Sequence, residues 1–279
     1  MTVRIVTDSS CDLPQAMADA LGIRIVPLSV RFGDTEYIDR TTITATEFWS
    51  KCAASATLPE TAAPSPGSYE ETYRSLAAEG ATAIVVVALS SDLSATMQSA
   101  ELAARAVAPE IDVRIVDSRN ASMGLGLTVL ACAELAKTGA SADEVVARAQ
   151  SVIPRMRLYA ALDTLDNLKK GGRIGGAKAM LATVMSIKPL ISITNGLVAE
   201  AGKQRTRSKA LAHLVDILRN QQVPIERLAV LNAQCADIDA FVAMVKEVYT
   251  GEIIVGDIGA VIGTHAGQGT IGIVFLLSA

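Results

Sequence analysis

The sequence predicts an α/β protein of two domains. The first has a mostly parallel sheet covered by helices, and the second has helices packed on a mixed sheet. Three observations lead there. A chain of 279 residues is longer than one small core needs and fits two domains of ordinary size. Short β-branched runs alternate with helical stretches from residue 3 to residue 152, the pattern of parallel strands joined by helices. Half the residues are apolar but only 4% are aromatic, so Ala, Val, Leu and Ile fill the interior, as in strands buried on both faces. Past Pro154 the texture changes and a hairpin appears, which divides the chain into residues 1–153 and 154–279.

Residues 3–7 read as a buried strand, short, β-branched and followed by turn residues. Asp8 to Pro14 is a loop entering a helix that Gly22 closes, with polar caps and a proline in the first turn. Residues 23–26 and 29–32 are extended, and 34–44 form a polar hairpin or loop. A helix is expected at 45–54. Pro59, Pro64 and Pro66 make 57–67 an ordered loop. Helices at 68–79, 96–106, 125–137 and 142–152 alternate with strands at 83–89 and 113–116. In the second half, a strand at 157–162 and a short helix at 165–170 precede a glycine loop at 171–176 and a helix at 178–186. Strands at 190–194 and 197–201 flank Asn195-Gly196, a strong hairpin turn. Helices at 208–221 and 237–249 then alternate with strands at 228–231, 252–255 and 271–277.

Composition narrows the function. The net charge is −4 with acids and bases interspersed, unlike the clustered basic surface of a nucleic-acid binder. The longest apolar runs, 83–89 and 271–277, fall far short of the ~20 residues a membrane helix needs, so no stable membrane insertion is expected. Asp8 follows the first apolar run at once, which is not a signal-peptide pattern, and a cytoplasmic location is expected. Cys11, Cys52, Cys132 and Cys235 have no CxxC spacing and read as reduced thiols. Nucleophile-elbow, zincin and Walker A motifs are absent, and Gly171 to Gly176 is followed by Ala177-Lys178 where a P-loop needs Lys-Ser or Lys-Thr.

Four segments carry candidate chemistry. Ser90-Ser91-Asp92-Leu93-Ser94-Ala95-Thr96 leads from a strand into a helix. Free backbone N–H groups and the hydroxyls of Ser90, Ser91, Ser94 and Thr96 suit an anion there, and equally suit a well-capped helix. Thr61 offers a hydroxyl from the proline-stiffened loop. His265 sits in the glycine-rich run from Gly259 to Gly269, as an anion donor or as a turn histidine bonded to backbone. Lys169, Lys170 and Arg173 gather cations around Gly171-Gly172, suiting an acidic partner or phosphate, or simply a solvated helix end. An internal echo pairs Val3-Arg4-Ile5-Val6-Thr7-Asp8-Ser9 with Val113-Arg114-Ile115-Val116-Asp117-Ser118. Both would deliver Asp-Ser to the carboxyl edge of the sheet, where α/β folds bind ligands, though strand-ending chemistry accounts for it equally.

Taken in order, these segments resemble the DegV family of bacterial fatty-acid-binding proteins. The resemblance rests on Val6-Thr7-Asp8-Ser9-Ser10-Cys11-Asp12-Leu13-Pro14, Thr61 with Pro64-Ser65-Pro66-Gly67, the Ser90 to Thr96 run, Asp117-Ser118, Lys170-Gly171-Gly172-Arg173-Ile174 and Gly263-Thr264-His265-Ala266-Gly267. It implies two α/β domains with a long-chain fatty acid between them as ligand and no other cofactor or metal. It implies that Thr61 and Ser94 bind the carboxylate, with Ser90 or Ser91 nearby and His265 and Arg173 on the same side. Family members present the acid to a separate fatty acid kinase, which phosphorylates it to acyl phosphate. By that likeness the chain is a substrate-presenting subunit and not an enzyme of its own, and a monomer is expected. The basic turn with Lys170 and Arg173 is expected to dock the kinase or face the phosphate. Ala95 stands where the family usually has glycine, Ala62-Ala63 where it has Ser-Gln, and Ala266 and Gln268 also depart from its pattern. The competing reading is a stand-alone phosphotransferase or hydrolase using His265 and the Ser90 to Thr96 segment, and a third is a lipid-occupancy sensor.

Overall fold

A computed structural model describes residues 2–182 and 187–279. The first half runs β1 (Val3–Asp8), α1 (Gln15–Leu21), β2 (Arg24–Val26), β3 (Ser29–Phe32), β4 (Thr35–Ile38), α2 (Ala45–Ala54), β5 (Glu60–Ala62), α3 (Pro66–Ala78), β6 (Ala83–Ala88), α4 (Thr96–Val107), β7 (Asp112–Asp117), α5 (Met123–Lys137) and α6 (Ala142–Val152). The second half runs β8 (Met156–Ala161), α7 (Asp166–Lys170), β9 (Lys188–Thr194), β10 (Leu197–Gln204), α8 (Arg207–Arg219), β11 (Ile225–Asn232), α9 (Ile238–Lys246), β12 (Ile253–Asp257), α10 (Ala260–Ala266) and β13 (Ile271–Leu277).

The protein is a mixed α/β fold, as its strand–helix alternation predicts. A four-stranded sheet in the order β2-β1-β6-β7 is parallel throughout. A six-stranded sheet in the order β10-β9-β8-β13-β11-β12 is mixed, with only β11 and β12 parallel. All six residues of β6 are buried, because both faces are covered. Alternation sends Ile84 and Val86 toward Tyr69 and Tyr73 of α3, and Val85 and Val87 into the cluster that contains α5 and α6.

Helix α5 is the layer shared by the two sheets. It contacts β1 and β6 on one side and β8, β11 and β13 on the other. Its residues Met123 to Ala133 are buried without interruption, as a helix apolar on every side must be. Gly126 permits the close approach, since a Cβ there would lie 2.7 Å from the Cys11 carbonyl oxygen. One apolar cluster therefore runs from Ile5 and Val85 through α5 to Leu231 and Val274. At its rim Arg227 of β11 forms a bidentate pair with Glu134 of α5, at 2.8 and 2.5 Å. Both side chains are partly exposed, so solvent screens the pair. Arg227→Met is expected to cost no more than ~1 kcal/mol in urea denaturation.

Several local expectations change. The proline-rich stretch at 57–67 is not wholly a loop: Glu60–Ala62 pairs antiparallel with β3, and α3 starts at Pro66 behind a Ser65 cap. The pairing is tertiary, which is why local composition hides it. The hairpin or loop at 34–44 contains β4, which closes a small β4-β3-β5 sheet. His265 is not in a turn but in helix α10, whose cap comes from far away: the Gly259 N–H donates to the Asp12 carboxylate at 2.9 Å. A helix capped by an acid from the other half of the chain carries no local start signal. The segment expected to be a helix at 178–186 is a 3-10 turn over Gly175–Ala182, and 183–186 lie outside the described residues.

Candidate functional site

A cavity of about 210 Å³ lies between the six-stranded sheet and the loops at the carboxyl edge of the parallel sheet. Its wall is largely apolar. Leu28, Leu89, Leu93 and Ala121 come from the first half, Leu158, Ile191, Ile193 and Val198 from β8 to β10, and Leu231, Val261, Ile262 and Val274 from β11, α10 and β13. Thr61, Ser94, Arg173 and His265 also line it, and no carboxylate does among the described residues.

Those four polar residues form one group. Thr61 is held by β5, where it pairs with Val30, and its hydroxyl lies 3.0 Å from His265 Nε2. Burial, aided by the Arg173 charge, lowers the His265 pKa to about 4, so the imidazole is neutral near pH 7. Its Nδ1 is buried with no partner among the described residues. A bare acceptor there costs less than a stranded N–H, so the favoured tautomer carries its proton on Nε2 and donates to Thr61. The Thr61 hydroxyl proton is then free to donate into the cavity. Arg173 donates from Nε to the Leu93 carbonyl at 3.2 Å and from Nη1 to Gly171 at 2.8 Å, which joins it to the residue before Ser94. Gly171 packs directly against the imidazole. A cation, a neutral imidazole and two hydroxyls at one place, with a largely apolar wall elsewhere, suit an amphipathic anion.

The other candidates point elsewhere. Ser90 is buried and donates to the Gly196 carbonyl at 2.7 Å, pinning the β9–β10 hairpin tip. Ser91 is exposed and donates to Asp117 at 2.6 Å. Thr96 is buried, its hydroxyl 2.9 Å from that of Ser94. Lys170 is exposed and does not line the cavity. The Asp-Ser echo brackets β6: Asp8 accepts from the Leu89 N–H at 2.9 Å and Asp117 binds Ser91, so both acids hold the loop that carries Ser94. Two lining residues, Ser122 and Thr270, carried no signal in the sequence. Ser122 donates to Asp12 at 2.6 Å, and Thr270 donates to the Ala266 carbonyl at 3.0 Å.

The model of the DegV family, described as uncharacterised protein, DegV family, matches residues 2–278. The chain belongs to the DegV family. A DegV domain-containing protein of Streptomyces coelicolor is 37% identical over 98% of this chain and 97% of its own. Among solved structures, a fatty-acid-binding DegV family protein from Thermus thermophilus is 35% identical, with a TM-score of 0.90 and both chains covered in full. DegV of Bacillus subtilis, a fatty acid binding protein, is 28% identical, again with a TM-score of 0.90 and full coverage of both chains. Among the described residues of this DegV protein, no helix is long and apolar enough to cross a membrane, and no group of three His, Cys, Asp or Glu side chains is placed to hold a metal.

Proposed function

We propose that this protein binds a long-chain fatty acid in this cavity and presents it, in the cytoplasm, to a separate fatty acid kinase. The observation that carries this reading is the Thr61–His265–Arg173–Ser94 group set into a largely apolar wall that, among the described residues, has no carboxylate. Thr61 and Ser94 donate to the acid's carboxylate, neutral His265 fixes the Thr61 proton, and Arg173 supplies the countercharge. The relatives that bind fatty acids support the same reading. About fourteen buried methylenes at ~0.8 kcal/mol each supply roughly 11 kcal/mol gross. Association entropy removes several kcal/mol of that. The tail sets affinity and the head group sets orientation. The chain folds as two units divided at residue 153, with the acid between them.

Native mass spectrometry of the purified protein, followed by lipid extraction, tests the binding. A stoichiometric long-chain acid is expected, and a protein that is empty and also refuses added oleate overturns the reading. In a reconstituted reaction with a fatty acid kinase, Thr61→Ala and Ser94→Ala are expected to lower acyl phosphate formation more than acid retention. Equal loss of both would remove the orienting role. Arg173→Ala is expected to spare retention and lower turnover, and unchanged turnover would end its role in docking or in meeting the phosphate.

One observation favours a second reading. The Thr61 hydroxyl within hydrogen-bond reach of an imidazole becomes the first contact of a nucleophile–base pair when the ring proton moves to Nδ1 and leaves Nε2 as the acceptor. No carboxylate orients Nδ1 among the described residues, and the hydroxyls of Ser90 and Ser91 are engaged away from His265. Hydrolysis of an acyl ester by the protein alone, lost in Thr61→Ala, would support that reading.

A further inference from the structure

The β8–β9 ladder is shorter than its strands. Pairing is confined to Tyr159↔Ser192, Ala160↔Ile191 and Ala161↔Leu190, yet β8 begins at Met156 and β9 runs on to Thr194. Each strand keeps its other neighbour over the unpaired stretch: Met156 pairs with Leu276 of β13, and Thr194 with Leu197 of β10. A crevice opens where the two strands part, bordered by Arg157, Tyr159, Ser192 and Thr194. Leu158 and Ile193 line this crevice and also line the cavity. The partition between the two spaces is therefore those side chains. None of Thr61, Ser94, Arg173 or His265 borders the crevice, so it meets the cavity along its apolar part.

The crevice carries polar groups where the adjoining part of the cavity is apolar. Half-buried Arg157 donates from Nη1 to the carbonyls of Pro154 and Met156, both at 2.9 Å, and forms no ion pair among the described residues. The hydroxyls of Ser192 and Thr194 lie 3.1 Å apart, and among the described residues each is the other's only side-chain partner. A guanidinium with unused donors beside two hydroxyls matches a carboxylate or hydroxyl.

We propose that this crevice is a second subsite, reached past Leu158 and Ile193, that takes the oxygenated far end of an acyl chain. Its ligands are acids bearing a carboxylate or hydroxyl at the end opposite the first carboxylate. In a closed apolar cavity such a group would be buried without a partner. Here it ends against Arg157, Ser192 and Thr194. The inference rests on the acyl-binding reading of the cavity.

The test compares monocarboxylic acids with α,ω-dicarboxylic acids of matched length, by displacement of a fluorescent fatty acid from the delipidated full-length protein. At the best length the diacid is expected to bind within about tenfold of the monoacid, where a closed apolar cavity would penalise it about a thousandfold or more. Arg157→Ala is expected to weaken the diacid about tenfold or more and leave the monoacid unchanged. Thr194→Val, at an exposed position, is expected to act in the same direction with a smaller loss and covers a misfolded arginine variant. A diacid penalised at every length, or equal losses for both acids in both variants, overturns the subsite. Failure of the monoacids themselves would instead bring down the acyl-binding reading.

Discussion

Gly171→Ala is expected to lower acyl phosphate formation with a fatty acid kinase by roughly ten- to a hundredfold, more than it lowers acid retention, although the added group is one methyl. A Cβ at this position would overlap His265 Nδ1, lie 2.9 Å from Cε1 and lie 3.1 Å from the Asn167 carbonyl oxygen. The backbone there is ordinary, so the effect is steric and not conformational. The ring has little room to yield, because it is packed inside α10 with its other nitrogen on Thr61. Either the imidazole leaves Thr61 or the turn after α7 opens, and Arg173 is bonded to that turn through the Gly171 carbonyl. Both routes dismantle the group that receives the carboxylate. The double variant Gly171→Ala/His265→Ala separates clash from function: removal of the ring restores the space, so the double variant should be more stable than Gly171→Ala alone. A single variant that melts and supports turnover like the parent would show that the contact is loose.

The stability of this DegV protein is expected to carry two opposing pH dependences. His265 is lowered from its ordinary value to about 4 by burial and by the nearby Arg173 charge. Between roughly pH 6.5 and 4 the unfolded chain binds a proton at this residue that the folded chain does not. Folded stability therefore falls as pH drops, by on the order of 3 kcal/mol at the acid end of that window. Asp12 moves the other way. Burial raises its carboxyl to about 7, against the hydrogen bonds from Ser122 and Gly259, which lower it. From about pH 4 to 7 the folded chain keeps a proton that the unfolded chain has released. Its contribution is fully present at low pH and is lost as pH rises through the folded value, by roughly 4 kcal/mol. Burial shifts Asp8 and Asp39 in the same direction as Asp12. Chemical denaturation across this range should show His265→Gln losing less stability on acidification than the parent. Asp12→Asn, whose amide retains an acceptor for the Gly259 N–H, should lose less on the rise to neutrality. Curves parallel to the parent's in both variants would mean that neither group titrates as its burial implies.

Much of the architecture was legible because it is written locally. The β-branched run that becomes β6, the Asn195-Gly196 turn with both residues at positive φ, and the Ser141 capping box of α6 each specify their element within a few residues. The candidate site was legible as segments, since Thr61, Ser94, Arg173 and His265 all sit in motifs that stand out in the chain. Apart from the family resemblance, the residues themselves did not separate Ser94 from Ser90 and Ser91. Three hydroxyls within five positions look alike until β7 supplies Asp117 for one and the hairpin tip supplies Gly196 for another.

From the sequence alone came the fold class, the parallel character of the first sheet and the candidacy of Thr61, Ser94, Arg173 and His265. These depend on periodicity, propensity and side-chain chemistry, which are properties of neighbours along the chain. Only the tertiary structure decided that 60–62 is a strand, that His265 rides on a helix capped by Asp12, and that Ser122 and Thr270 face the cavity. It also set the shifted protonation of His265 and Asp12 and the parting of β8 from β9. Each of these depends on groups many residues apart being brought together and dried out. Burial and long-range hydrogen bonding have no period in the sequence from which they could be read.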